Sequence, residues 1–410
     1  AWRAASRRGV VEAVTGTGKT IVGARAASEA LAAGGQVVVL VPTRELLAQW
    51  ISMLRQMAPP GVLIGRLGDG GTDGLGEVDI LVAVVNSARD GDLRPRRPGS
   101  LIIGDECHRY ASFDNRRALD ERFTYRLGLS ATFERSDGGH RQWLTPYFGD
   151  SCYRLGFAEA RRQEVIAPFL VELVGVAFTP DERTAYDDHD DAMTDAAAEL
   201  VGRWGVPTEP DGAFLRAVSA LASDDGRAAA IARRYLAAMR DRRRVLDGSH
   251  GKQLLIDELV PEFVRANRSL LFTSTIESAQ SAVAGLVEAG VAAGAVHSKL
   301  ASPQRRAVLD AFRRGELRVL AAPQVLDEGI DVPDAELALV LGATQTRRQM
   351  IQRMGRVVRR KPDGRSARFL IAYVLDTIED PQNGAHGLFL DDVRAIATSL
   401  TSRRADRAPG

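Results

Sequence analysis

The segment Thr15-Gly16-Thr17-Gly18-Lys19-Thr20 has the residue types needed to grip a phosphate chain. Glycines let the backbone fold tightly so that successive amide N–H groups face one anion, and a helix starting there adds the positive end of its dipole. In that chemistry Lys19 contacts the β and γ phosphates, Thr20 ligates Mg²⁺, and Thr15 to Gly18 form the cradle. Where the general loop pattern opens with Gly, this chain has Ala13. A second group, Leu101-Ile-Ile-Gly-Asp105-Glu106-Cys107-His108, is an apolar run ending in adjacent carboxylates. At a strand end Asp105 can hold the metal and Glu106 can polarise the water that attacks the terminal phosphate.

With these two groups in place, Asp105-Glu-Cys-His108 reads as a DExH box, and the chain resembles the helicase core of superfamily 2. Leu40-Val-Pro-Thr43-Arg44-Glu-Leu-Leu-Ala-Gln49-Trp50 resembles motif Ia, and Ser130-Ala131-Thr132 resembles motif III. Val325-Leu-Asp327-Glu328-Gly329-Ile-Asp331-Val-Pro333 resembles motif V, and Gln352-Arg353-Met354-Gly355-Arg356-Val-Val-Arg359 resembles motif VI. The resemblance implies two RecA-like P-loop lobes, ATP and Mg²⁺ as the bound species, and hydrolysis coupled to movement on nucleic acid. It also implies that Arg356 and Arg359, which share one face if helical, reach across the cleft as arginine fingers alongside the catalytic Lys19 and Glu106. Gly329 and Asp331 would set a turn against nucleotide and strand, and Ser130 with Thr132 would couple phosphate state to nucleic acid.

Candidates for gripping the sugar-phosphate backbone are Thr43, Arg44, Asn86 and Ser87 in the first lobe and Thr273, Ser274, His297 and Ser298 in the second. Thr43 and Ser87 have a second reading as helix caps. Gln352 stands where RNA-directed DEAD-box proteins usually carry His, and Leu127-Gly-Leu-Ser-Ala-Thr-Phe-Glu-Arg-Ser-Asp-Gly138 looks most like duplex-DNA motors related to XPB-type repair helicases and restriction-enzyme motor subunits. DNA is therefore the expected track, with 3′ to 5′ movement implied by the family. The order Glu134-Arg135-Ser136-Asp137 departs from the Arg-Glu-Asp element of the XPB branch, and no Gln of an adenine-reading segment precedes the phosphate loop. Other readings are an RNA-remodelling ATPase, a helicase-like subunit working with protein partners in a defence or repair complex, and a nonenzymatic switch, against which Lys19, Glu106 and Arg359 argue.

These residues require α/β elements to hold them. Apolar runs at Val10 to Val14, Val37 to Val41, Asp79 to Val85, Leu101 to Gly104 and Tyr125 to Leu129 predict parallel strands covered by helices. Runs at Ser269 to Thr273, Ala293 to His297, Leu317 to Ala321, Leu337 to Gly342 and Arg368 to Tyr373 predict a second such sheet. The expected division is lobe 1 over 1–150, a mainly helical connector over 151–265, lobe 2 over 266–375 and a helical tail over 376–410. The 410 residues, 45% hydrophobic and 26% charged, suit two cores of ordinary globular type. A net charge of +1 means any basic footprint must be local. With only Cys107 and Cys152, neither a disulfide framework nor a cysteine metal cluster is expected, and the chain reads as cytoplasmic and as a piece of a longer protein. The acidic run Asp187-Asp-His-Asp-Asp191 reads as a solvated helix face.

Overall fold

A computed structural model describes residues 1–135, 137–209, 212–323, 335–342, 347–355, 357–358 and 364–406, without the side chains of 302, 347–349 and 352. The first sheet is built from β1 (Arg8–Ala13), β2 (Val37–Val41), β3 (Ile64–Gly68), β4 (Gly71–Thr72), β5 (Ile80–Val84), β6 (Leu101–Asp105), β7 (Tyr125–Ser130) and β8 (Ser151–Leu155). They lie in the order β4-β3-β5-β2-β6-β7-β1-β8. Every pairing is parallel except β3 with β4. Every residue of β2, β5 and β6 is buried, which explains why these strands read as unbroken apolar runs: helices cover both faces. Parallel pairing brings the ends of β1, β2, β5, β6 and β7 to one edge, and those ends carry the phosphate loop, Thr43, Asn86, Asp105 and Ser130.

The helix Arg44–Met57 shows how local sequence serves this edge. Thr43 is extended and its hydroxyl accepts from the Leu46 N–H, capping the helix start. Leu46, Leu47, Trp50 and Leu54 form one buried stripe. Truncating Leu54 to Ala would cost about 2–5 kcal/mol, as for buried leucines generally. The helix stops at Ala58, whose extended backbone suits the residue before Pro59.

The second sheet is made of β9 (Phe169–Val176), β10 (Ser269–Thr273), β11 (Ala293–Ala295), β12 (Val319–Pro323), β13 (Leu337–Val340), β14 (Ala367–Val374) and β15 (Ser399–Arg404), in the order β11-β12-β10-β13-β14-β9-β15. Its membership corrects the expected boundaries. The range 151–265 contains β8, which pairs with β1 of the first sheet, and β9, which pairs with β14 of the second. The tail is not wholly helical: after the Gly387–Arg394 helix, β15 pairs with β9 over Ser399–Arg404. Polar β15 is an edge strand with one neighbour, so its alternation is too weak to read from sequence.

Between β9 and β10 the helices Pro180–Trp204, Ala213–Leu221 and Arg227–Asp247 enclose a small core of Ala196, Leu200, Val218, Ile231 and Ala232. Thr179 and Glu182 form a reciprocal capping box at its entrance. Two carboxylates of the acidic run are paired, Asp187 with Arg183 at 3.5 Å and Asp190 with Arg242. Among the described residues no group of three or more metal-type side chains occurs, and no helix is long and apolar enough to cross a membrane.

Candidate functional site: a cleft between the two lobes

The loop Val14–Gly18 leaves β1 and enters the helix Lys19–Ala32. Gly16 and Gly18 have φ of 88° and 83°, conformations costly for residues with a Cβ, so their identity follows from the turn. The Thr17 hydroxyl donates to the Val14 carbonyl at 2.7 Å, and the Lys19 ammonium donates to the Ala13 carbonyl at 2.8 Å. The lysine is thus folded over the cradle that its chain encloses.

At the end of β6, Asp105 is buried and its Oδ2 accepts from the Trp50 indole N–H at 2.8 Å, while its Oδ1 accepts from the Glu106 backbone N–H at 3.0 Å. Trp50 belongs to the motif Ia segment, where its sequence context signals no task. Its spacing from Leu46 and Leu54 marks it only as core, and the bond to Asp105 exists because the helix packs across the sheet. Tyr110 was also missed. Its hydroxyl bridges the carbonyls of Leu40 and Asp105, each at 2.8 Å, tying the ends of β2 and β6 together, and burial beside the acidic pair raises its pKa well above the ordinary value.

Glu106 has φ 49° and ψ 49°, a left-handed conformation unusual for a residue other than Gly, Asn or Asp. Such strain persists where surroundings enforce it, and here the turn aims the side chain at His108. Glu106 Oε2 lies 3.4 Å from His108 Nδ1, which lies 3.0 Å from Ser130 Oγ, and Ser130 Oγ donates to the Thr132 carbonyl at 2.8 Å. The expected coupling partners Ser130 and Thr132 therefore join the acidic box through His108. Arg135 Nη1 reaches the His108 carbonyl at 2.7 Å from the segment after β7, and Arg135 is ion-paired with Asp137, which lowers the Asp137 pKa. The Cys107 thiol, wholly buried beside these carboxylates, is pushed up in pKa and packs as core.

The second lobe meets the phosphate loop through Gly355, at the end of the helix Arg347–Met354. A Cβ on Gly355 would lie 2.4 Å from Thr15 Cβ, so only glycine allows this approach. Thr15 Oγ1 is buried there with no hydrogen-bond partner among the described residues. Beside the contact lies a cavity of about 670 Å³ bordered by Val14, Thr132, Phe157 and Ile351, residues from both lobes. Arg353 is fully buried with its guanidinium over the Phe272 ring at 4.8 Å, and burial pushes its pKa down to about 9. The expected fingers Arg356 and Arg359, and Gly329 and Asp331 of motif V, lie outside the described residues.

The expected backbone-gripping residues divide. Arg44, Asn86 and Ser298 are exposed, and Thr43 and Ser87 are half-buried. Thr273, Ser274 and His297 are buried. The Thr273 hydroxyl is used on the Thr275 carbonyl at 2.9 Å, fixing the turn into the helix Ile276–Glu288, and His297 Nε2 lies 3.4 Å from Gln280 Nε2. On this side Arg305 of the second lobe pairs with Glu45 of the first at 3.2 Å.

A phosphate loop and an acidic strand end in one lobe, closed by a helix of a second lobe of the same architecture, define a two-lobed helicase-type core. Solved structures share this fold at low identity. The helicase domain of Pyrococcus furiosus Hef matches with TM-score 0.59 and 19% identity over 92% of this chain and 95% of that one. S. cerevisiae Dbp5 matches with TM-score 0.58 and 16% identity over 97% and 86%.

Family models agree: residues 1–135 match the type III restriction enzyme res subunit and residues 251–361 the helicase conserved C-terminal domain. The chain is 30% identical to DNA 3'-5' translocase XPB2 of Sulfurisphaera tokodaii over 360 residues, 87% of this chain and 75% of that protein. It is 27% identical to DNA 3'-5' helicase XPB of Mycobacterium tuberculosis over 92% of this chain and 59% of that protein. The chain belongs to the XPB-like helicases of superfamily 2, and it spans roughly half to three quarters of the length of these relatives.

Proposed function

We propose that this chain is an ATP-driven motor on DNA, translocating on or unwinding the duplex with the 3′ to 5′ sense named for its relatives. The observation that carries the reading is the Gly355–Thr15 approach, which joins the helix of one lobe to the phosphate loop of the other. A nucleotide bound at that seam senses both lobes at once.

The residues suit ATP with Mg²⁺. Thr20 and Asp105 offer a hydroxyl and a carboxylate, the hard oxygen donors this ion takes together with substrate phosphates. When bound, Mg²⁺ supplies neutralisation of phosphate charge. Lys19 turns from the Ala13 carbonyl to the β and γ phosphates, and the amides of Gly16 to Lys19 face the same oxygens. Glu106, held toward His108, accepts hydrogen bonding from the attacking water and takes its proton as the bond from the γ phosphorus to the bridging oxygen breaks, leaving ADP and phosphate. Arg356 and Arg359, which follow the helix at Thr15, are the candidates for added positive charge from the second lobe. The Glu106–His108–Ser130–Thr132 chain then carries phosphate occupancy to the segment after β7.

The test is hydrolysis by wild type and Glu106→Gln, each alone and with single-stranded, duplex or forked DNA or RNA. Stimulation by DNA that disappears in the variant is the expected result. Stimulation by RNA alone would replace DNA with RNA as the track.

A further inference from the structure

Phe113 and Trp143 are large apolar side chains that the nucleotide cleft does not use, 73% and 39% exposed. Both face one guanidinium: Arg116 Cζ lies 3.9 Å from the Trp143 ring centroid and 4.9 Å from that of Phe113. Phe113 and Arg116 stand in the segment after the acidic box, and Trp143 in the π-helical turn His140–Leu144 after β7. Single exposed apolar residues are ordinary, but two rings gathered on one arginine make a cationic aromatic surface. Arg116 makes no ion pair among the described residues, and exposed Arg141 stands two residues before Trp143 in sequence, as Asp114 stands two before Arg116.

The platform continues the polar path along the sheet edge. Arg44 pairs with Asp69 at 3.9 Å, and neighbouring Gly68 packs against Ser87, from which its Cβ position would be 3.0 Å. Arg89, at the end of the same short helix as Asn86 and Ser87, donates to the Asn115 side chain, next in sequence to Arg116. Arg117 pairs with Asp90 at 2.8 Å, locking the same junction. Candidate phosphate contacts thus lead, residue to residue, to exposed aromatic faces. Nucleic acid offers phosphates along a track and a π-face at the end of an unpaired or fraying strand, which this order of charge and aromatic surface matches.

We propose that Phe113, Arg116 and Trp143 form a stacking platform for a nucleobase of the DNA strand held along Arg44, Asn86 and Ser87. The proposal rests on the DNA-motor reading. Base–aromatic stacking is sequence-tolerant, so the platform would hold any base at a strand end and favour forked over fully paired DNA.

The test compares wild type, Phe113→Ala/Trp143→Ala and Trp143→Phe on forked DNA whose single-stranded arm is intact or carries abasic sites, which keep the phosphates. Wild type should prefer the intact arm by roughly tenfold, with tryptophan fluorescence quenched on binding. The double variant should lose both the preference and most of the quenching, Trp143→Phe should keep the preference, and DNA-free hydrolysis and Tm should match wild type. An intact arm bound equally by wild type and double variant, or abasic sites without effect on wild type, overturns the platform alone and leaves the exposed rings to a protein partner. Failure of wild type to bind any DNA overturns the motor reading and this proposal with it.

Discussion

The two lobes share one architecture yet hold their important side chains in opposite ways. In the first lobe the reactive groups are fixed by short polar links: Trp50 to Asp105, and Glu106 through His108 and Ser130 to Thr132. In the second lobe they are fixed by burial: Arg353 lies over Phe272 with no hydrogen-bond partner among the described residues, and Thr273 and His297 are enclosed. Directional bonds preorganise chemistry at one position, whereas packing fixes a surface that must fit another surface. The first lobe is thus a prepared half-site, and the second acts through how closely it can approach.

Glu106→Gln attacks the prepared half directly. Loss of a positioned base costs about 10²–10⁴ in rate, so kcat should fall by that order while ATP binding, followed by a fluorescent analogue, is retained. Retained turnover would remove Glu106 from the chemistry.

Gly355→Ala attacks the approach of the second lobe instead. Its Cβ would stand 2.4 Å from Thr15 Cβ, and overpacking of this kind costs about 1–3 kcal/mol. Turnover should drop about tenfold or more with little change in Tm, because the clash burdens closure and spares each lobe's own core. A normal kcat would show that this contact is absent from the working state.

Trp50→Phe keeps an aromatic side chain, though a smaller one, and deletes the donor to Asp105. A hydrogen bond to a charged group contributes about 1.5–3 kcal/mol, so the expected outcome is a lower Tm and a raised Mg²⁺ concentration for half-maximal hydrolysis. An unchanged Mg²⁺ requirement would reduce Trp50 to packing.

His386 tests burial as the second lobe's device. Among the described residues neither ring nitrogen has a hydrogen-bond partner, and desolvation together with the Arg353 charge pushes its pKa down to about 4. An unfolded histidine protonates near 6.5, so between about pH 6.5 and 4 the unfolded chain takes up a proton that the folded chain refuses. Stability should therefore fall as pH drops through this window, by about 3 kcal/mol at most from this group, and His386→Leu should flatten that part of a denaturation-versus-pH curve.

The smallest effect is expected of Glu45→Ala. The Glu45–Arg305 pair is partly exposed, and such pairs contribute about 0–1 kcal/mol, so Tm should shift by no more than a degree or two while DNA-free hydrolysis changes slightly.

Most of the nucleotide half-site was legible because its determinants are local. Thr15 to Thr20 and Asp105 to Glu106 each occupy one turn at the end of an apolar strand, and glycine positions with positive φ announce themselves. The buried β2, β5 and β6 read as strands for the same reason. The lobe boundaries were not legible, since β9 precedes the helical insert and β15 lies near the chain's far end, and both pair only across long sequence distances. Trp50, Tyr110 and the Arg116 platform were equally hidden, for their partners lie 55, 70 and 27 residues or so away in the chain.

By itself the sequence determined which turns can hold phosphate and carboxylate chemistry, because tight turns and apolar strands are dictated by neighbours a few residues apart. The tertiary structure alone decided which distant groups touch: that Trp50 grips Asp105, that His108 joins Glu106 to Ser130, and that Gly355 meets Thr15. Those contacts depend on how helices cross the sheet and how one lobe seats on the other, and long-range packing fixes both.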